Sequence, residues 1–214
     1  MVGIEVHVGP MSPRRASAAT ATRSTRPSSD RILEAAEGVF EQNGYGETSL
    51  RQLIAAANVS TTAFYARFTS KEDVLNALIS RFLTELHASA STALAEVKTL
   101  EEGFDRGVAV LVKVLQDHRV VAGLALTEAA GNPKVRATLG RSYRVLAELL
   151  TSRIKKLTAK GAADVADAEA LGWALVGALQ IQIMRWAVFN DLDAKGLTRA
   201  LKATARTLLP ALKR

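Results

Sequence analysis

The chain has no cysteine, which excludes a disulfide framework, a thiol nucleophile and any thiolate-ligated metal. Histidine is scarce: His7, His87 and His118 lie on separate segments without an i, i+4 pair, so no zinc-binding helix is present. No GxxxxGK[ST] phosphate loop occurs, and Gly140-Arg141-Ser142 does not continue into a nucleophile elbow. Glu101 and Glu102 are adjacent and point in different directions on a helix, so they read as helix-start charges favoured by the dipole. With no clustered acid, base or nucleophile the sequence points away from an enzyme, and no cofactor or metal is expected. Each histidine is expected to face solvent or sit at a helix end.

Targeting signals are also lacking. Met1 to Pro10 have neither the basic start nor the apolar core, of about 7–15 residues, of a signal peptide, and a cytoplasmic protein is expected. One long apolar run exists, Leu171 to Phe189, but Gln180, Gln182 and Arg185 interrupt it. An Arg alone costs about 2.5–3.5 kcal/mol near the centre of a membrane helix. A buried helix with partners on several sides is the better reading, with Ala174, Gly177 and Ala178 allowing a close approach and Trp173, Leu175 and Ile181 supplying bulk. No membrane partner is expected.

The net charge is +7, and its distribution is uneven. Residues 1–29 carry four Arg against one Glu; residues 30–76 carry four basic against seven acidic groups; the remainder carries 20 against 13. The tail, rich in Ser, Thr, Ala, Arg and Pro, is expected to be disordered. It is either a solvated leader or an arm whose Arg14, Arg15, Arg23 and Arg26 contact DNA phosphate or the minor groove, and translation could begin at Met1 or Met11.

What is present begins at Asp30. Ile32, Leu33, Ala36, Val39 and Phe40 share one face of a first helix, and Asn43-Gly44 stops it. Ser49 and Gln52 have capping-box spacing and open a short second helix carrying Leu50, Leu53, Ile54 and Ala57. Asn58 suits a left-handed bend, and Ser60 can cap a third helix with Phe64 and Phe68 turned inward. Thr61, Thr62 and Tyr65 then fall on the outer face, where a recognition helix meets DNA. Hydroxyl groups there can donate to phosphate, and a Thr methyl can touch thymine. Ser70 caps a fourth helix with Asp73 in its first turn and Lys71 free to meet phosphate, while Glu34, Glu37 and Glu41 share a solvent face. Arg67 either reaches phosphate or pairs with an acidic neighbour.

Gly44-Tyr45-Gly46-Glu47-Thr48-Ser49, Ala57-Asn58-Val59-Ser60, Phe64-Tyr65-Ala66-Arg67-Phe68 and Ser70-Lys71-Glu72 together resemble the N-terminal domain of TetR-family transcriptional regulators. Asn58 stands where Gly is usual, and Thr62 where the recognition helix often has Gly or another small residue. The resemblance implies DNA contacts from Thr48, Ser60, Thr61, Thr62, Tyr65, Arg67 and Lys71.

The fourth helix continues through Val74, Leu75, Leu78, Ile79, Phe82, Leu83 and Leu86, followed by helices near 101–118, 120–130, 133–160, 164–190 and 194–209. Pro133 suits a first turn, Gly161 a stop, and Pro210 a late stop. The fold expected is all-α: a disordered basic tail (1–29), a three-helix helix-turn-helix DNA-binding domain (30–76), and a larger helical effector-binding and dimerisation domain (77–214). The resemblance implies a homodimer through the last two helices, about 164–209, and an effector pocket. Candidate liners are Phe82, Leu86, Phe104, Leu111, Leu124, Tyr143, Trp173 and Gln180, each of which can equally be plain core. The function expected is a sequence-specific regulator of a palindromic duplex operator, a repressor released by a small apolar or amphipathic ligand. The alternative is a helical small-molecule carrier that does not read DNA.

Overall fold

The computed structural model describes residues 28–208, and among them every regular element is a helix: α1 (Ser28–Asn43), α2 (Leu50–Ala56), α3 (Thr61–Tyr65), α4 (Lys71–Ala93), α5 (Leu100–Asp117), α6 (Arg119–Thr127), α7 (Pro133–Ala159), α8 (Ala168–Ala187) and α9 (Ala194–Leu208). The expectations for His7, Met11, the tail arginines and Pro210 lie outside the described residues.

Local chemistry sets the boundaries. Gly44, at φ +77°, ends α1, and Gly161, at φ +69°, ends α7. Pro133 occupies the first turn of α7 behind the Asn132 cap. α8 begins later than the apolar pattern suggests, at Ala168 and not near 164, because Asp167 accepts from the Glu169 and Ala170 amides and so takes the cap position. It also stops at Ala187, short of 190, where Asn190 turns left-handed at φ +56°. α6 is likewise shorter than the expected 120–130, ending at Thr127.

One apolar core links the first three helices to the rest. Ile32, Phe40, Leu53 and Phe64 pack into it beside Val74, Leu78 and Phe82 of α4, and it continues to Val121, Trp186, Leu197 and Leu201. Phe64 is fully buried, worth about 1.5–3 kcal/mol relative to exposure. α4 runs unbroken through residues 76 and 77. A second, smaller cluster joins Leu100, Ile154, Leu157, Leu171 and Leu175.

α8 packs against α6, α7 and α9. The close approach is made by Gly172, not by Gly177 as its small-residue neighbourhood suggested: a Cβ on Gly172 would lie 3.0 Å from the Ala147 carbonyl oxygen of α7, whereas one on Gly177 would meet nothing within 4 Å. Two of the three polar side chains that interrupt the apolar run of this helix are hydrogen-bonded, while Gln180 lines the cavity described below. Arg185 bonds Asp191 at 2.9 Å and Gln182 at 3.1 Å, and Gln182 donates to Thr204. Among the described residues no helix is long and apolar enough to cross a membrane.

Candidate nucleic-acid interface and ligand cavity

The turn between α2 and α3 is built from side chains that satisfy helix ends. Ser49 and Gln52 form a reciprocal capping box at the start of α2. Asn58 takes φ +50°, the left-handed bend that lets α3 leave at a steep angle. Ser60 accepts from the Ala63 amide at 3.1 Å and caps α3. Phe64 and Phe68 stand 6.0 Å apart with both rings buried, which fixes the roll of this one-and-a-half-turn helix. Thr61, Thr62, Tyr65 and Arg67 consequently face solvent, with Tyr65 51 % exposed. Arg67 has no acidic partner among the described residues, which removes one of its two sequence readings.

Three residues depart from their expected roles. Thr48 is buried, 3 % exposed, and its hydroxyl donates to the Gly44 carbonyl at 2.7 Å; it braces the α1–α2 loop and has no face to offer DNA. Lys71 is not free: its Nζ donates to the Tyr45 and Gly46 carbonyls at 2.7 and 3.0 Å and lies 4.6 Å from the Tyr45 ring centroid, in cation–π range. Burial, with Glu72 and Glu128 nearby, pushes the Tyr45 phenol up to about 12, so it stays neutral beneath that ammonium. Glu37 does not share the solvent face of Glu34 and Glu41 but turns toward His118.

Arg31 is a functional brace that sequence reading missed. From α1 its guanidinium donates to the carbonyls of Ala57 and Asn58, the C-terminal end of α2 where carbonyls lack helical partners. A basic residue one helix upstream of a turn gives no local pattern that marks it.

Behind the reading head, α4 is fastened to α7 by three polar links. Lys134 donates to Asp73 at 2.6 Å, Thr138 to Asn76 at 2.9 Å, and Ser142 pairs with His87 at 2.9 Å. Asp73 also caps backward onto Thr69. The Lys134 and Thr69 hydrogen bonds hold its carboxyl down at about 2. Burial lowers the His87 imidazole, outweighing its Ser142 contact. His87 is thus half-buried in mid-helix, neither solvent-facing nor terminal as expected, whereas His118 does sit at a helix end.

The last of these links, through Ser142, borders a cavity of ≈ 140 Å³ among α4–α8, where the candidates Phe82, Leu86, Leu111, Tyr143 and Gln180 line the wall. Phe104 does not reach it, because it packs on the second cluster, and Leu124 packs on the main core. Trp173 is excluded most clearly: it lies on the outer surface of α8, 44 % exposed. Leu139, Leu146 and Ile183 line the cavity instead, chosen by helix roll that spacing alone does not resolve.

Residues 32–78 match the family described as "Bacterial regulatory proteins, tetR family". The HTH-type transcriptional regulator UidR of Escherichia coli (strain K12) is 24 % identical over 180 residues, covering 81 % of this chain and 86 % of that one. Among solved structures, the fatty acid degradation regulator FadR of Bacillus halodurans superposes with a TM-score of 0.74 at 22 % identity, covering 87 % of this chain and 97 % of that one. FadR of Bacillus subtilis in complex with stearoyl-CoA gives 0.72 at 17 %, covering 84 % and 97 %. The buried Phe64–Phe68 pair, the left-handed Asn58 and the exposed face of α3 therefore lie in the segment, residues 32–78, that matches the TetR family of bacterial regulatory proteins.

Proposed function

We propose that this chain is an operator-binding repressor, working in the cytoplasm as a homodimer and released from DNA by a small molecule held in the α4–α8 cavity. The exposed row Thr61, Thr62, Tyr65 and Arg67, on a helix whose roll is fixed by two buried Phe rings, carries the reading. Such a helix reads base edges with its hydroxyl and methyl groups, while Arg67 neutralises phosphate. Lys71 acts differently from the expected phosphate ligand: it ties the α1–α2 loop to the start of α4, so a shift of α4 carries the whole head with it.

Within the expected range of 164–209 the dimer face is better placed on α8, paired with α7, than on α9. Trp173, Gly177 and Ile181 form a stripe at one-turn intervals on α8, where Trp173 and Ile181 are 44 % and 46 % exposed, and Val145 of α7 is 44 % exposed. α9 instead turns Leu197 and Leu201 inward and presents Lys195, Arg199, Lys202 and Arg206 outward, a poor core for an interface. Two heads related by a two-fold axis would read half-sites about 34–36 Å apart or a multiple of it. Release would follow if a bound molecule favours a conformation in which α4, linked to α7 at Asp73, Asn76 and His87, sets a different head separation.

A mobility shift on DNA spanning the chain's own gene and adjacent promoter, with unrelated DNA as competitor and a salt titration, tests the reading. Specific retention by a dimer is the expected result. Absence of salt-dependent retention at any ionic strength would overturn it in favour of a helical carrier.

A further inference from the structure

The α4–α8 cavity is walled by apolar side chains and carries no charged residue; its polar groups are Ser142, Tyr143 and Gln180. The Ser142 hydroxyl is already engaged with His87 Nε2. The Tyr143 hydroxyl is different: it is buried and has no hydrogen-bond partner. Tyr143 is one of the residues lining the cavity; a buried donor left unmade is costly, and an occupant that brings an acceptor within reach of this hydroxyl satisfies it. Burial alone pushes the Tyr143 phenol up to about 12, so it remains a neutral donor.

Size and charge narrow the occupant further. An apolar protein cavity of about 150 Å³ accepts benzene, and the volume here is ≈ 140 Å³. A carboxylate or phosphate brought to this wall would lose its hydration and meet no cation. We propose that the cavity takes an uncharged, mainly apolar molecule about the size of a substituted benzene, with a single hydrogen-bond acceptor met by the Tyr143 hydroxyl. This rests on the reading of the cavity as the effector site. It separates the chain chemically from its fold neighbour in complex with stearoyl-CoA, a thioester with an anionic head.

Phenol, toluene and benzoate, three probes with one ring, distinguish the possibilities by equilibrium dialysis or calorimetry on the full chain. Phenol should bind roughly threefold to tenfold tighter than toluene, the worth of one net hydrogen bond. Benzoate should not bind at concentrations that saturate with phenol. Tyr143→Phe keeps the ring, and should abolish the phenol preference, bringing phenol to or below the affinity of toluene while leaving toluene unchanged; circular dichroism and melting confirm that the variant folds. Benzoate binding as well as phenol, a phenol preference that survives Tyr143→Phe, or no binding of either neutral probe would each overturn the proposal. A mobility shift run in parallel keeps the two readings apart. Tyr143-dependent phenol binding that leaves DNA bound supports the ligand class and counts against release, whereas DNA released by benzoate with phenol inert overturns the ligand class and leaves the regulator standing.

Discussion

The Nδ1 of His118 lies 3.4 Å from Glu37 Oε1, an ion-pair distance without hydrogen-bond geometry, while its Nε2 bonds Glu85 at 3.1 Å. One imidazole at the α5–α6 junction thereby touches the first helix of the reading head and the middle of α4, and its face leans on Phe82 of the cavity wall, ring centroids 5.8 Å apart. His118→Gln removes the ring and one of the two nitrogens. The expected cost is about 1 kcal/mol, with amides of α1 exchanging about fivefold faster. Unchanged exchange in α1 would mean that apolar packing alone holds the head.

Asp73 should titrate near 2, and Lys134→Met should move it back toward the ordinary value of 3.8. Because the folded pKa is depressed, the stabilisation is present above the unfolded value near 3.8 and is lost as pH falls through about 2. Lys134 is 63 % exposed, so the loss at neutral pH should stay below about 1 kcal/mol. Carboxyl titration by NMR and melts between pH 2 and 7 check both statements.

Thr48 and Thr62 should separate stability from recognition. Thr48→Ala removes a buried hydroxyl bonded to Gly44 and should cost about 1 kcal/mol in a denaturant melt, with no change in preferred DNA sequence. Thr62→Ala should leave the melt unchanged and alter the sequences selected from a randomised duplex pool. A changed sequence preference in Thr48→Ala would restore that residue to the interface.

Gly172→Ala sets two effects against each other. Helix propensity favours Ala by about 1 kcal/mol, but overpacking costs about 1–3 kcal/mol. The new Cβ would meet Thr151 Oγ1 at 2.5 Å, which can rotate, and the Ala147 carbonyl at 3.0 Å, which cannot move without the α7 backbone. Net destabilisation is expected, read as a lower Tm; a raised Tm would show that α7 and α8 separate easily.

Trp173→Glu tests the dimer face. It should shift sedimentation toward the monomer and weaken operator binding at least tenfold, since each half-site alone holds one head, while the monomer keeps its helical circular dichroism. A dimer that survives both this change and Ile181→Glu would place the interface elsewhere.

The sequence resolved the features that depend on neighbours along the chain. Asn58, Ser60, the Ser49–Gln52 box and the Phe64–Phe68 pair follow from spacing of a few residues, and each stands where spacing puts it. Thr48, Lys71 and Arg31 were not legible because their partners are backbone carbonyls, which every residue has, and only the folded chain selects which carbonyl is within reach. Trp173 was misplaced for a related reason: an apolar residue on an apolar helix turns inward or outward according to which side its neighbouring helices take. Gly172 decides that by drawing α7 to one side of α8.

Val74, Leu78 and Ile79 of α4 are buried in a core that includes Phe64 on one side and Val121 and Trp186 on the other. A segment carrying α1–α3 cannot be exchanged between regulators as a unit, because any cut near residue 76 divides one helix and exposes both halves of one core. If the proposed reading holds, changes of operator preference are channelled to exposed side chains of α3 and the turn after it. Thr61, Thr62 and Arg67 can vary without repacking, whereas Tyr65 is constrained by its edge contact with Phe64, and a new binding specificity would arise there one substitution at a time.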